Sequence, residues 1–89
     1  GRSVRSDHLQ IKHLKAPGPL RVAAVVSKSV AKKAVERNKL RRALYRALAG
    51  LDTSAISGHA VCFVRSVPKG RLTLLFSQEL GPLLSNLRH

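Results

Sequence analysis

Eight of the seventeen Lys and Arg residues of this chain fall between positions 28 and 46: Lys28, Lys32, Lys33, Arg37, Lys39, Arg41, Arg42 and Arg46. Fixed cations at that density, with Glu36 as the one acid in the stretch, are suited to holding a polyanion. Asn38 and Tyr45 stand among them, an amide that can hydrogen-bond phosphate, sugar or base and a ring that can stack on a base. Groups for bond-breaking are sparse. The four acids, Asp7, Glu36, Asp52 and Glu79, are scattered, so the spacing offers neither paired carboxylates nor a two-metal site. His8 and His13 lie five apart in an alternating segment, hence on opposite faces, and read as surface or RNA-contacting groups. His59 heads an apolar run and His89 is terminal. Cys62 is the lone cysteine, which leaves no intramolecular disulfide and reads as core packing. The sequence therefore nominates no catalytic residue, no metal ligand and no protein-bound cofactor.

The elements that must position these groups follow from periodicity. Residues 32–49 read as a helix, with Leu40, Leu44 and Leu48 at four-residue steps and Ala43 and Ala47 beside them. On an ideal wheel these five form the buried arc. Lys39, Arg42 and Arg46 fall on the exposed side. Arg37 and Arg41 lie at the border, where a guanidinium can rest its stem on the core and send its fork into a groove. Asn38 and Tyr45 project near one another beyond Arg41. Gly50 is placed to end the helix in a left-handed cap.

Upstream, residues 1–7 are polar, basic and expected to be loose, and Leu9 and Ile11 alternate with His8, Gln10 and Lys12 as a half-exposed strand. Ala16-Pro17-Gly18-Pro19 reads as a turn, and residues 20–27 as a strand buried on both faces, with a short buried helix as the alternative that periodicity does not separate. Two strands so joined predict an antiparallel hairpin. Downstream of a polar connection, residues 59–65 make the strongest strand. Residues 72–76 are a short strand or an approach to a last helix, with Ser77 as its N-cap. The order strand, strand, helix, strand, helix predicts one α+β domain over residues 1–89, a small mixed sheet of three to four strands with two helices.

Charge bounds the partner. Seventeen basic against four acidic residues give a net charge of +13, with an isoelectric point near 11.7. Self-repulsion at that charge is relieved by a polyanion, for which nucleic acid is the leading class. No apolar run approaches the ~18 residues of a membrane span. A basic amphipathic helix can also lie on a membrane surface, but the apolar arc here is Ala and Leu without Trp or Phe and is needed as core. The single cysteine and lack of a signal-peptide pattern fit a cytoplasmic location. The chain contains no Met, so Gly1 is expected to be preceded by further residues in the native product.

The run SKSVAKKAVERNKLRRALYRAL resembles the signature of the bacterial ribonuclease P protein-subunit family, in which a strand ends in Ser-Lys, a small-residue turn follows, and an Arg-Asn-Arg core opens a basic helix. Arg37-Asn38-Lys39-Leu40-Arg41-Arg42 occupies that core. Residues 9–14 resemble the family's first strand, 20–27 its second, 59–65 its strand ending in Arg, and 77 onward its last helix. The resemblance implies a left-handed crossover at the basic helix, as in the second domain of a small-subunit ribosomal protein. It implies that the helix motif contacts the catalytic RNA and that a cleft between helix and sheet holds the single-stranded 5′ leader of precursor tRNA. Arg37, Asn38, Lys39, Arg41 and Arg42 are then the leading RNA-subunit contacts, within the wider RNA-binding set that includes Lys28, Lys32, Lys33, Tyr45 and Arg46. Lys12 and Arg65 face the leader. The chemistry would belong to the RNA and its Mg²⁺, with a monomeric protein. The chain departs from the family pattern at Lys39, where Arg is usual, at Tyr45, where a basic residue is common, and at its start, which falls about where the family's N-terminal helix should end.

Two other classes fit the basic helix, a non-enzymatic RNA chaperone or ribosome-associated protein and a DNA-binding module. The first predicts similar affinity for unrelated structured RNAs. The second lacks any helix-turn-helix pattern.

Overall fold

A computed structural model describes residues 1–87; His89 lies outside them. The element order is β1 (Arg2–Arg5), β2 (Leu9–Pro19), β3 (Arg21–Val26), α1 (Ala34–Ala49), β4 (Ser57–Val64) and α2 (Leu72–Ser85). The four strands form one sheet in the order β1-β2-β4-β3, antiparallel between β1 and β2 and between β2 and β4, parallel between β4 and β3. The α+β mixed sheet with two helices is as the sequence predicts.

The pairing differs from the expected hairpin. β2 and β3 are consecutive but not partners, because β4 inserts between them. The cause lies in burial: β4 alternates Gly58, Ala60, Cys62 and Val64 onto the core, the pattern of a central strand, whereas β3 is an edge strand with Arg21, Ala23 and Val25 exposed. β3 is thus not buried on both faces. α1 makes the crossover between parallel β3 and β4, since parallel neighbours cannot be joined by a tight turn.

Residues 1–7 are not loose: Arg2–Arg5 pairs with β2 from Arg2↔His13 to Arg5↔Gln10. The Pro-Gly segment 16–19 belongs to β2, which runs on to Pro19 through an irregularity between Leu14 and Pro19. Gly58 sits opposite it at φ +104°, and a Cβ there would stand 2.2 Å from the Leu14 carbonyl oxygen. Only glycine permits both that torsion and that approach.

Both helices pack on one face of the sheet, where Leu9, Ile11, Val26, Ala60, Cys62 and Val64 join Leu40, Ala43, Leu44 and Ala47 of α1 and Phe76, Leu80, Leu83 and Leu84 of α2 in one core. Leu48 is only partly buried against it. α1 starts two residues later than expected, and Gly50 ends it in a right-handed conformation (φ −83°), its N–H returning to the Ala47 carbonyl. α2 begins at Leu72 with Arg71 in the N-cap position, so Ser77 is interior and Pro82 lies within the helix. An interior proline costs about 3 kcal/mol. Phe76, Leu80, Leu83 and Leu84 are nearly fully buried, each contributing about 1.5–3 kcal/mol, which offsets that cost and carries the helix through Pro82.

Candidate nucleic-acid interface

α1 turns its apolar arc to the sheet and thereby aims its cations outward. Lys39, Arg42 and Arg46 are exposed, while Arg37 and Arg41 are half-buried at the border, as the wheel requires. Lys28, Lys32 and Lys33 are exposed in the connection that leads from β3 into the helix. Arg37 fastens that connection. Its Nη1 donates to the carbonyls of Ala31 at 3.0 Å and Lys32 at 2.8 Å, which leaves its Nε and Nη2 donors for other partners. The Arg37 N–H itself bonds the Lys33 carbonyl.

One turn on, Arg41 Nη2 donates to Asn38 Oδ1. That bond holds the Asn38 amide with its oxygen on Arg41 and leaves its two N–H donors for other partners, the polarity that suits phosphate or sugar oxygens. Tyr45 is tied from the other side: its hydroxyl accepts the Ala24 N–H of the β3 edge at 3.0 Å, while the side chain remains 45% exposed. Val35, Asn38, Arg41, Arg42 and Tyr45 together line a shallow concavity of about 410 Å³. The sequence-derived set is therefore brought together on one helix, except for the three connection lysines, which lie beside it.

A second, larger concavity of about 870 Å³ lies on the opposite flank, between α1 and the start of α2. Lys39, Arg42 and Arg46 form its α1 wall, and Arg71, at the N-cap of α2, with Thr73 and Ser77 of α2, contributes from the other side. Sequence reasoning missed the α2 members. Reading Ser77 as the helix N-cap placed residues 71–73 in an approach segment, and only the earlier helix start turns them toward α1.

The sheet face opposite the helices is open. Gln10, Lys12 and Leu14 of β2 lie on it beside His59, Val61 and Phe63 of β4. Lys12 Nζ stands over the Phe63 ring, 5.7 Å from its centroid. Lys12, Leu14, His59, Val61 and the first residues of the chain border a mainly apolar hollow of about 530 Å³. Arg65, exposed just beyond β4 with its N–H on the His8 carbonyl at 2.7 Å, does not line that hollow. The two expected leader-facing residues are thus not gathered at one place.

The histidines correct the expectation of surface or RNA-contacting groups. His13 is buried and its Nε2 donates to the Ser57 carbonyl at 2.7 Å, which places the proton on Nε2. His8 packs on α2. Its N–H and its Nδ1 reach the two oxygens of the Glu79 carboxylate at 2.9 and 2.7 Å, and Ser6 Oγ donates to the same carboxylate. Burial alone would push Glu79 up, but these hydrogen bonds and the charge of His8 hold its carboxyl below the ordinary 4.5. Cys62 is core, as expected, and burial, with Glu79 nearby, pushes its thiol up to about 12. Among the described residues no three His, Cys, Asp or Glu side chains gather as a metal cradle, and no helix is long and apolar enough to cross a membrane.

The chain is similar to known proteins. Ribonuclease P protein components of two strains of Xylella fastidiosa, Temecula1 and 9a5c, are each 36% identical over 87 residues. These alignments take in 98% of this chain and 64% of each relative, so the chain spans just under two thirds of their length. The structure of the Staphylococcus aureus RNase P protein superposes with a TM-score of 0.80 at 22% identity, covering all of this chain and 84% of that one, a likeness of fold. The family profile for Ribonuclease P matches residues 1–87, from β1 through the end of α2, and with the basic helix on its four-stranded sheet this chain belongs to the ribonuclease P protein family.

Proposed function

We propose that the chain acts as the RNA-binding protein subunit of ribonuclease P, docking through α1 on a catalytic RNA and assisting removal of the 5′ leader from precursor tRNA. The observation that carries this reading is the outer face of α1, where Asn38, Lys39, Arg41, Arg42 and Arg46 project from a helix whose inner face is committed to the core. In this proposal the RNA and the Mg²⁺ it uses carry the phosphodiester chemistry, and the protein lowers repulsion between the two RNAs. Arg37, Lys28, Lys32 and Lys33 extend the docking surface toward the start of the helix. On the open sheet face, Lys12 over Phe63 offers one cation beside apolar surface, a pairing suited to a single-stranded leader, where stacking and one charge act together.

The test is direct. Added to a bacterial ribonuclease P RNA and a precursor tRNA at low Mg²⁺, the protein speeds 5′ processing. No acceleration with folded protein and active RNA refutes the reading. Preference for that RNA over unrelated structured RNA at ~0.15 M salt separates it from a general chaperone. Arg41→Gln with Arg42→Gln lowers the slope of log affinity against log salt by about two units at most, at roughly 0.9 per phosphate contact. An unchanged slope removes both residues from the interface.

A further inference from the structure

The concavity between α1 and α2 is a meeting of four cations. Lys39, Arg42 and Arg46 approach from α1, and Arg71 from the α2 side. Among the described residues none of the four has a carboxylate within ion-pair distance. The nearest acid along α1, Glu36, borders a separate smaller hollow that Lys39 also touches. Like charges gathered in a concavity repel one another, and the low-dielectric walls focus their potential onto whatever enters. Two hydroxyls, Thr73 and Ser77, stand one turn apart on the α2 wall. The start of α2 adds N–H groups that no side chain caps, and these reinforce the same sign of potential.

The α1 row has length as well as charge. Lys39, Arg42 and Arg46 are spaced three and four residues apart, which at 1.5 Å per residue spans about 10 Å along the axis. At about 870 Å³ the hollow exceeds what one phosphate fills. A run of cations along one wall, facing hydroxyl donors on the other, matches a chain of phosphates with its sugar oxygens.

We infer that this groove is a second RNA-contact site, in which a strand of the partner RNA passes between α1 and α2 with its phosphodiesters against Lys39, Arg42, Arg46 and Arg71 and its oxygens against Thr73 and Ser77. The inference rests on the RNA-binding reading above and extends the contact surface from one helix to two. Arg71, Thr73 and Ser77 become binding residues that the helix motif does not contain.

Two measurements test it. In the isotopically labelled wild-type protein, titration with a short single-stranded oligoribonucleotide shifts the backbone amide signals of Thr73, Leu74 and Ser77. Stationary signals at all three, with the α1 signals moving, overturn the inference. Separately, Arg71→Gln lowers the salt slope for ribonuclease P RNA by about 0.7 to 0.9, one phosphate contact, whereas Lys15→Gln, far from the groove, leaves it unchanged. Equal slopes for wild type and Arg71→Gln, or equal losses for both variants, also overturn it. The two readings fail differently. If wild type prefers ribonuclease P RNA but Arg71→Gln keeps the full slope, the groove is wrong and the function stands. If wild type prefers no RNA but Arg71→Gln loses slope on all of them, the groove stands and the ribonuclease P reading falls.

Discussion

Glu79→Gln tests how the N-terminal strands are held to α2. The Glu79 carboxylate accepts from Ser6 Oγ, from the His8 N–H at 2.9 Å and from His8 Nδ1 at 2.7 Å, in a side chain only 17% exposed. Hydrogen bonds to a charged group contribute about 1.5–3 kcal/mol against about 0.5–1.5 for neutral ones. Glutamine keeps one acceptor but presents an NH₂ to the protonated Nδ1 of His8, so one bond is lost and the others lose their charge. Partial exposure lets water replace some of this, which leaves a loss of about 1–2 kcal/mol at pH 7. For a domain of this size that lowers the melting temperature by about 5–15 °C. Acid weakens the same contact. The folded carboxyl lies below the ordinary 4.5, so between the two values the unfolded chain binds a proton that the folded chain does not, and stability rises with pH. The contribution is full above the unfolded value and is lost as pH falls through the folded one. Urea melts at pH 7 and pH 3 should therefore show a wide gap between wild type and Glu79→Gln that narrows in acid. Equal stability at pH 7, or a gap unchanged at pH 3, refutes the clasp.

Gly58→Ala is expected to be more damaging. A Cβ would stand 2.2 Å from the Leu14 oxygen and 2.7 Å from the Ala16 nitrogen, both backbone atoms, at φ +104°. The strained torsion alone costs about 1–3 kcal/mol, and with the clash a thermal melt should fall by more than about 10 °C. Tyr45→Phe removes the acceptor for the Ala24 N–H but keeps the ring, so RNA affinity stays within about twofold, whereas Tyr45→Ala weakens it about fivefold or more if a base stacks there. Equal losses would assign the role to the hydroxyl. Cys62, with its thiol at about 12 and no exposed surface, should resist an aromatic disulfide reagent at pH 8 and react promptly in urea.

α1 is legible in the sequence because everything that defines it is local. Leu40, Leu44, Ala43 and Ala47 state the period, and the cations fall on the remaining face by subtraction. Strand pairing is not local. Nothing between Leu20 and Ser27 says that its neighbour is a strand thirty residues on, and the Pro-Gly segment that looked like a hairpin turn is carried in β2 by an irregularity matched to Gly58. β1 escaped notice because its residues are polar and only Val4 is inward. The groove escaped for a related reason: Ser77 looked like the helix N-cap, and the burial of Phe76, which carries the helix back to Leu72, is a tertiary fact.

The topology also separates two kinds of surface. α1 packs on the core face of the sheet, so Arg42 and Lys12 stand on opposite sides of it and cannot grip the same few nucleotides. The helix side is rich in guanidinium groups, with Arg41, Arg42, Arg46 and Arg71 around two concavities. The open sheet side offers Lys12 over Phe63 beside Leu14 and Val61, mostly apolar. Binding dominated by charge weakens steeply with salt, whereas binding dominated by stacking does so less. An RNA held on the helix side should therefore be released by salt well before a single strand lying on the sheet, and the two should be held at once. Loss of both at the same salt concentration, or competition between them, would refute this separation of the two faces by the sheet.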